Sequence, residues 1–331
     1  MAPKGAFEKL HTNQRILVET LLEKGASCSI EDLDKEIVRV RYKGKDWYLS
    51  DRFTEKVPFN WVDMTASKNF VKKLLLENGI SMPLGDIFSG KMETILYAYA
   101  KELGYPVVLK PDWGSHGDFV SVDIRDEKEL KKITKEFFKE YGKETSFLVE
   151  EYFEGTEHRI FITQKGDYAV LKREPAHVIG NGMQSLEELI LSENKRRTKL
   201  KQTKNTSLCP LAVDAQVLTH LKKTGKTLSS IPKDNEKVYL RKTSNIAKGG
   251  KSYNVTKQTH PSVIAIAKRI AKAIPLPMMG IDFMTQDIEK TQDLGTYRVL
   301  EVNSSPGFAM HMFPTEGTPI NVAEYAIKVL F

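Results

Sequence analysis

Apolar residues change their period several times along the chain, and each change predicts an element. Over residues 7–22, Leu10, Ile16, Leu17 and Leu21 recur at helical spacing and stop at Gly25, a residue suited to ending a helix. Ile37, Val38 and Val40 then follow a strand-like pattern over 36–42, and Lys43-Gly44 reads as a hairpin turn into a second strand at 47–49. Residues 54–63 carry a proline and no clear pattern, which sets a boundary there. Helical spacing returns over 66–77, with Phe70/Leu74 and Val71/Leu75, and closes at Asn78-Gly79. A helix at 92–103, strands at 106–110 and 119–123, a helix at 126–141 and a strand at 147–150 follow. Beyond residue 157 the pattern predicts strands at 158–163 and 168–173, a helix at 185–191 and a polar, basic loop at 195–204. Helices at 211–223 and 261–273 flank a strand at 238–242, and strands at 278–284 and 296–302 precede a final helix at 319–330. Such mixing predicts an α+β fold with a short N-terminal unit over 1–63 and a main body over 64–331, itself divided into lobes at 64–156 and 157–331.

Composition narrows the class. A chain of 331 residues exceeds one compact core, and 40% hydrophobic with 28% charged residues excludes a disordered protein. No apolar run reaches the roughly 18–20 residues of a membrane-spanning helix, and residues 1–11 lack a signal-peptide stretch, so no membrane and a cytoplasmic location are expected. Cys28 and Cys209 stand alone, which excludes a disulfide framework or zinc ribbon. The 50 Lys and Arg against 43 Asp and Glu give +7, compatible with nucleic acid, an anionic surface or an acidic or phosphorylated small molecule. The positions of the charges must choose.

Four places offer chemistry. Asp282 ends one apolar strand, and Glu301 and Asn303 lie on one face near the end of another. A lone acid at a strand end usually just meets solvent; an acidic pair plus Asn on strands expected to be buried suits a hard cation such as Mg²⁺. The loop Gly114, Ser115, His116, Gly117 has two glycines that let backbone N–H groups bend over phosphates, and Lys110 precedes it at the end of an apolar strand. Lys68 is a second candidate cation. Glu150, Glu151, Tyr152, Phe153 and Glu157 follow an apolar strand and offer a flat slot for a purine and carboxylates for a ribose, although a domain-linking strand reads equally well. Arg241, beside Asn245 and the Gly249-Gly250 loop, suits a developing oxyanion. The histidines are scattered, and no nucleophile elbow, Walker A or G-x-G-x-x-G motif is present.

In this order the pieces resemble the ATP-grasp superfamily of carboxylate–amine ligases, over roughly residues 65–331. Within it the chain is similar to the ATP-grasp module of cyanophycin synthetases and to the glutathione-synthetase half of bifunctional glutathione enzymes. Three stretches carry the likeness: Arg173-Glu174-Pro175-Ala176-His177-Val178-Ile179-Gly180-Asn181-Gly182, Leu240-Arg241 through Asn245 to Gly249-Gly250, and Glu301-Val302-Asn303-Ser304-Ser305-Pro306-Gly307. The resemblance implies two α+β lobes holding ATP between them, with Mg²⁺ or Mn²⁺. It implies Lys68 and Lys110 as phosphate lysines, Gly114, Ser115, His116 and Gly117 as the covering loop, and Glu150, Glu151, Tyr152 and Phe153 as the adenine linker. By the same likeness Glu157 is the ribose ligand and Asp282, Glu301 and Asn303 are the metal ligands. Arg241 is expected at the γ-phosphate and acyl phosphate, helped by Arg173 and Asn245.

Two positions depart from the pattern: Asp118 follows the glycine loop, and Asn181 replaces a common Asp in a turn read as structural. The expected activity is amide formation between an amino acid or short peptide carboxylate and an amine, in a homo-oligomer; cyanophycin polymerisation is not expected, since no Mur-ligase-like half accompanies the module. The alternative is an ATP-binding regulatory protein of the same fold with reduced catalysis. Nucleic acid is the least favoured partner, because the basic run at 195–204 contains no aromatic residue for stacking. That run points instead to a solvated loop or an acidic substrate.

Overall fold

The computed structural model describes residues 7–112, 119–203 and 205–331, so the glycine loop with Gly114, Ser115, His116, Gly117 and Asp118 lies outside the described residues. The chain opens with α1 (Thr12–Glu23) and an antiparallel sheet of β1 (Ser27–Asp32), β2 (Ile37–Tyr42) and β3 (Lys45–Ser50). Alternation turns Cys28, Val38, Val40, Trp47 and Leu49 inward against Ile16, Leu17 and Leu21 of α1. These residues do not close a core alone. Val322, Ala326, Leu330 and Phe331 at the other end of the chain complete it, and Trp47 meets Phe331 edge-on at 5.6 Å.

Helices α2 (Phe59–Ala66) and α3 (Lys68–Glu77) follow, separated by Ser67, whose side chain caps α3 by accepting from the Phe70 N–H. Next come β4 (Gly85–Phe88), α4 (Glu93–Leu103), β5 (Val107–Pro111), β6 (Ser121–Ile124), α5 (Glu127–Tyr141) and β7 (Phe147–Glu151). Their four strands form an antiparallel sheet in the order β4-β7-β5-β6. Val107, Leu109, Phe147 and Val149 pack one face onto Leu96, Ala100, Leu130 and Phe137 of α4 and α5. The alternate positions, Lys110 and Glu150 among them, share the opposite face.

The remaining chain holds β8 (Thr156–Thr163), β9 (Tyr168–Glu174), β10 (His177–Ile179), α6 (Leu186–Thr203), α7 (Ala215–Lys223), β11 (Lys237–Tyr239) and β12 (Lys251–Asn254). It continues through α8 (Pro261–Ala273), β13 (Met278–Thr285), β14 (Tyr297–Asn303), α9 (Ala309–Met312) and α10 (Val322–Leu330). A five-stranded antiparallel sheet runs β12-β9-β8-β13-β14. Ile160, Ile162, Val170, Ile281, Phe283 and Val299 pack one face onto α8. The same core contains Val71 and Leu75, so α3 is anchored on this larger sheet although it precedes the smaller one in sequence. Between β9 and β12, the β10–β11 pair and helices α6 and α7 form an insertion around Val178, Leu186, Val217, Leu221, Val238 and Leu240.

Several elements differ from the sequence expectation. The unpatterned 54–63 segment contains the start of α2, a helix with only Thr65 fully buried and therefore little amphipathic signal. β1, β4, β10 and β12 were hidden because they are short or polar; β12, Lys-Ser-Tyr-Asn, is held as a strand by its ladder to β9. The expected helix at 211–223 begins only at Ala215, where Asp214 caps it. The basic loop at 195–204 is helical through Thr203, because α6 continues past the apolar residues that define its start. Arg197, fully buried, ties that extension down through Glu193, the Cys209 carbonyl and the Gly249 carbonyl.

Trp47 joins the two chain ends, so Trp47→Ala should lower stability by about 3–5 kcal/mol in urea unfolding. An unchanged midpoint would show that the Trp47–Phe331 contact is not part of the cooperative core.

Candidate functional site

The smaller sheet presents a charged row towards the larger one. Lys110 on β5 and Glu150 on β7 occupy the same face of adjacent strands, and Lys110 Nζ lies 2.5 Å from Glu150 Oε2. Lys72, one turn beyond Lys68 on α3, approaches the other oxygen at 3.2 Å and donates to the Gly85 carbonyl. Glu150 is almost fully buried between these ammonium groups, which offset the cost of burying its charge. The approach requires glycine at position 85: a Cβ there would stand 2.4 Å from the Val149 oxygen and 2.5 Å from Glu150 Cγ. Lys68 Nζ donates to the Pro111 carbonyl at 3.0 Å. Burial pushes its ammonium below the ordinary value and Lys110 adds to that, while Glu301, Glu150 and Asp112 pull it back. Lys68 thus feels carboxylates from both sheets.

On the larger sheet, β13 sets Asp282 opposite Arg159 of β8 and opposite Glu301 of β14. Arg159 Nη1 is 3.0 Å from Asp282 Oδ1, and Arg173 Nη2 on β9 is 3.1 Å from Oδ2. Arg173 also pairs with Glu157, which accepts from the Ser244 hydroxyl as well. With the Asn303 amide turned so that its nitrogen faces Glu301, two residues before it, the nitrogen donates to Glu301 Oε1 at 3.1 Å and the oxygen accepts from Arg159 Nη1 at 2.6 Å. Burial, and then the Asp282 charge, raise Glu301 above the ordinary carboxylate range against the pull of Lys68, Arg159 and Lys110.

Asp282, Glu301 and Asn303 fit a divalent cation. They supply oxygen donors from neighbouring strands, and two adjacent carboxylates, Asp282 buried and Glu301 half-buried, are a donor set that a cation would relieve of repulsion. Asp282 Oδ1 is buried, and the nearby Arg159 is not aligned to give it a hydrogen bond; no other partner reaches it among the described residues. Among those residues no group of three or more His, Cys, Asp and Glu side chains converges, so the set is two carboxylates and an amide.

The insertion contributes Arg241. Its side chain is 3% exposed, donates to the Ala212 carbonyl at 3.1 Å and lies 3.3 Å from Asp214 Oδ2. It lines a cavity of about 190 Å³ with Asp214, Gln216, Thr243, Asn245 and Lys248. Asn245 caps the short helical turn before Gly249 by accepting from the Ala247 N–H.

Comparison with known proteins places this arrangement. Residues 66–176 match the family model "Phosphoribosylglycinamide synthetase, ATP-grasp (A) domain". The chain superposes on a bifunctional glutathione synthetase from Pasteurella multocida with a TM-score of 0.69 and 27% identity, covering 99% of this chain and 45% of that one. The chain has the ATP-grasp fold. Among curated proteins it is 34% identical over 305 residues to a cyanophycin synthetase from Geminocystis herdmanii, covering 90% of this chain and 34% of the relative. It is 29% identical over 330 residues to a bifunctional glutathione biosynthesis protein from Clostridium perfringens, covering 98% of this chain and 42% of that protein. The chain therefore spans a third to under a half of the length of these relatives.

Within the ATP-grasp frame, Lys68, Lys110 and Glu150 lie together with Glu301, while Asp282, Asn303, Arg173 and Glu157 form the adjoining cluster. Glu151 is turned from that cluster: its Oε1 accepts from the Leu84 N–H and from Arg298 at 2.7 Å. Phe153 stacks beneath the same Arg298 guanidinium, and Tyr152 lies under Lys242. Asn181 accepts from the Met183 and Gln184 N–H groups, an Asx turn that fits its structural reading. Sequence reasoning missed Lys72, Arg159, Arg197 and Ser244. For Arg159 a signal existed: a charged residue two places from Glu157 in an otherwise apolar strand faces the same way. For Arg197 none did, because its burial depends on the insertion's tertiary packing. Among the described residues no helix is long and apolar enough to cross a membrane.

Two buried histidines lie near this cluster, on opposite faces of the larger sheet. His311 is fully buried near Arg159 and Arg173, and burial first, then those cations, lower it to about 3. Burial, and then Lys172, lower His158 to about 4 against the Thr156 carbonyl that its ring contacts. Both folded values lie below the unfolded value near ~6.5, so only the unfolded chain takes up protons as pH drops past that point. Stability should be level above about pH 7 and fall by about 2 kcal/mol per histidine by pH 5. Urea midpoints across this range should show the slope, and His311→Gln should remove about half of it; an unaltered slope would contradict the assignment.

Proposed function

We propose that this chain is an ATP-dependent carboxylate–amine ligase that forms an amide or peptide bond through an acyl phosphate. The observation that carries the reading is that Lys68 of α3 and Lys110 of the smaller sheet both stand in the field of Glu301, which β14 sets opposite Asp282, so cations and oxygens from different elements face one cleft. A polyphosphate with its cation would use both sets at once. The fold and the relatives' names support the same chemistry.

In this account the substrate carboxylate attacks the γ-phosphorus of ATP, and ADP leaves. The amine then attacks the acyl-phosphate carbonyl, and phosphate departs from the tetrahedral intermediate. Phosphoryl transfer depends mainly on positioning and charge neutralisation. Lys68 and Lys110 hold the phosphates, and Glu150 fixes the Lys110 ammonium so that it is not reoriented during reaction. Glu157, held by Arg173 and Ser244, would offer the ribose an acceptor whose position these contacts fix. Mg²⁺, held by Asp282, Glu301 and Asn303, would supply further neutralisation of phosphate charge. Buried Arg241, with Asn245 lining the same cavity, would stabilise the oxyanion, and Arg173 would assist from its place beside Asp282. The carboxylate is assigned to an amino acid or short peptide, as in glutathione- or cyanophycin-type ligation.

The test is ADP release from purified protein against paired amino acids and short peptides, with mass spectrometry of the product. A carboxylate–amine pair should release ADP and yield a product lighter than its substrates by one water. Arg241→Ala should lower kcat by on the order of 10²–10³ while ATP still binds. ATP binding with no release for any pair would favour the regulatory alternative, and normal turnover by Arg241→Ala would remove that residue from the mechanism.

A further inference from the structure

We propose that Lys242 and Lys223 form an electrostatic latch across the cleft, in which Lys242 is the positioning residue that brings Arg241 to the nucleotide. The role of Arg241 rests on the ligase reading; the latch itself rests on contacts between the insertion and the smaller sheet. Lys242 directly follows Arg241 and pairs with Asp123 on β6, while Lys223 at the end of α7 pairs with Glu129 on α5. Both acceptors belong to one network on the smaller sheet. Arg125 holds Asp123 through Nε at 3.2 Å and Nη2 at 3.1 Å, and its backbone N–H donates to Glu129 Oε2 at 3.1 Å.

The two donors are likewise one body. Asp214 accepts from the Val217 N–H at the start of α7 and also contacts Arg241, so α7 is tied to Arg241 at one end and to Glu129 at the other. His220 on α7 stands in the field of Lys242, Lys223, Arg241 and Asp123. Lys242 also lies 5.5 Å from the centre of the Tyr152 ring, on the strand-to-linker segment expected to meet adenine.

Exposed ion pairs contribute little, and Lys223–Glu129 is of that kind. Lys242–Asp123 differs, since the Asp123 side chain is only 11% exposed. Without Lys242 a largely buried carboxylate keeps, among the described residues, only the Arg125 side chain, so opening the cleft and losing the pair are coupled. The latch therefore gives the insertion a preferred seat over the smaller sheet, and with it a fixed place for Arg241.

The experiment compares the wild-type chain with Lys242→Met, which keeps the stem and removes the charge, and with Lys242→Arg, which restores it. Amide hydrogen exchange without nucleotide is read on both sides of the cleft, at residues 121–129 and 214–250. In Lys242→Met, exchange should rise about threefold or more on both sides, including the smaller sheet that carries no substitution, and Lys242→Arg should stay within about twofold of wild type. The wild type should approach the Lys242→Met pattern as NaCl is raised from about 0.05 to 0.5 M. A second readout, the affinity for a non-hydrolysable ATP analogue with Mg²⁺, should weaken about tenfold in Lys242→Met and recover in Lys242→Arg. Exchange confined to the insertion, or insensitive to salt, would overturn the latch. Absence of analogue binding by the wild type would instead remove the ligase reading and leave the exchange result to judge the latch.

Discussion

β13 is hydrogen-bonded to β8 on one side and to β14 on the other, and this pairing forces Asp282 to lie between Arg159 and Glu301. Two carboxylates side by side in a largely buried place are unfavourable unless cations converge on them. Four basic side chains do so, from different parts of the fold: Arg159 from β8, Arg173 from β9, Lys68 from α3 and Lys110 from the other sheet. The cleft is therefore defined by a charge balance that neither sheet completes alone. Phosphates and a divalent cation would enter that balance as matched additions of opposite sign.

The apolar framework serves this arrangement. One face of the larger sheet is given to Ile160, Ile281, Phe283 and Val299 against α8, leaving the alternate residues to carry charge. Anchoring Val71 and Leu75 of α3 in that core fixes Lys68 relative to Glu301. The Trp47–Phe331 contact and the rest of the terminal core support the sheet at its other end, where Phe161 and Ala169 replace the charged pairs.

Much of this was legible in the sequence, for identifiable reasons. Strands β8, β13 and β14 are apolar enough to stand out, and their polar exceptions, Asp282, Glu301 and Asn303, were therefore conspicuous. Lys110 was visible because it ends an apolar strand, and the helix over Pro261–Ala273 was bounded by a proline at its start. What stayed hidden depends on pairing between distant segments. Lys72 looks like one more exposed helical lysine until β7 brings Glu150 to it. Arg159 could not be given a partner before the β8–β13 register was known. The basic run beginning at Lys195 illustrates the same limit: Arg197 reads as surface charge, yet it is fully buried and braces the glycine turn behind Arg241. The glycine loop from Gly114 to Gly117 was legible as a motif, and its placement lies outside the described residues.

In this account Lys68 and Lys110 and the oxygens of Asp282, Glu301 and Asn303 form a single site for a nucleotide and its cation. The most direct measurement is the linkage between them: ATP affinity with and without Mg²⁺, in the wild type and in Asp282→Asn with Glu301→Gln. One shared site predicts that Mg²⁺ strengthens ATP binding about tenfold or more in the wild type, and that the paired substitution abolishes this gain while metal-free binding survives. Equal strengthening by Mg²⁺ in both proteins would contradict the account.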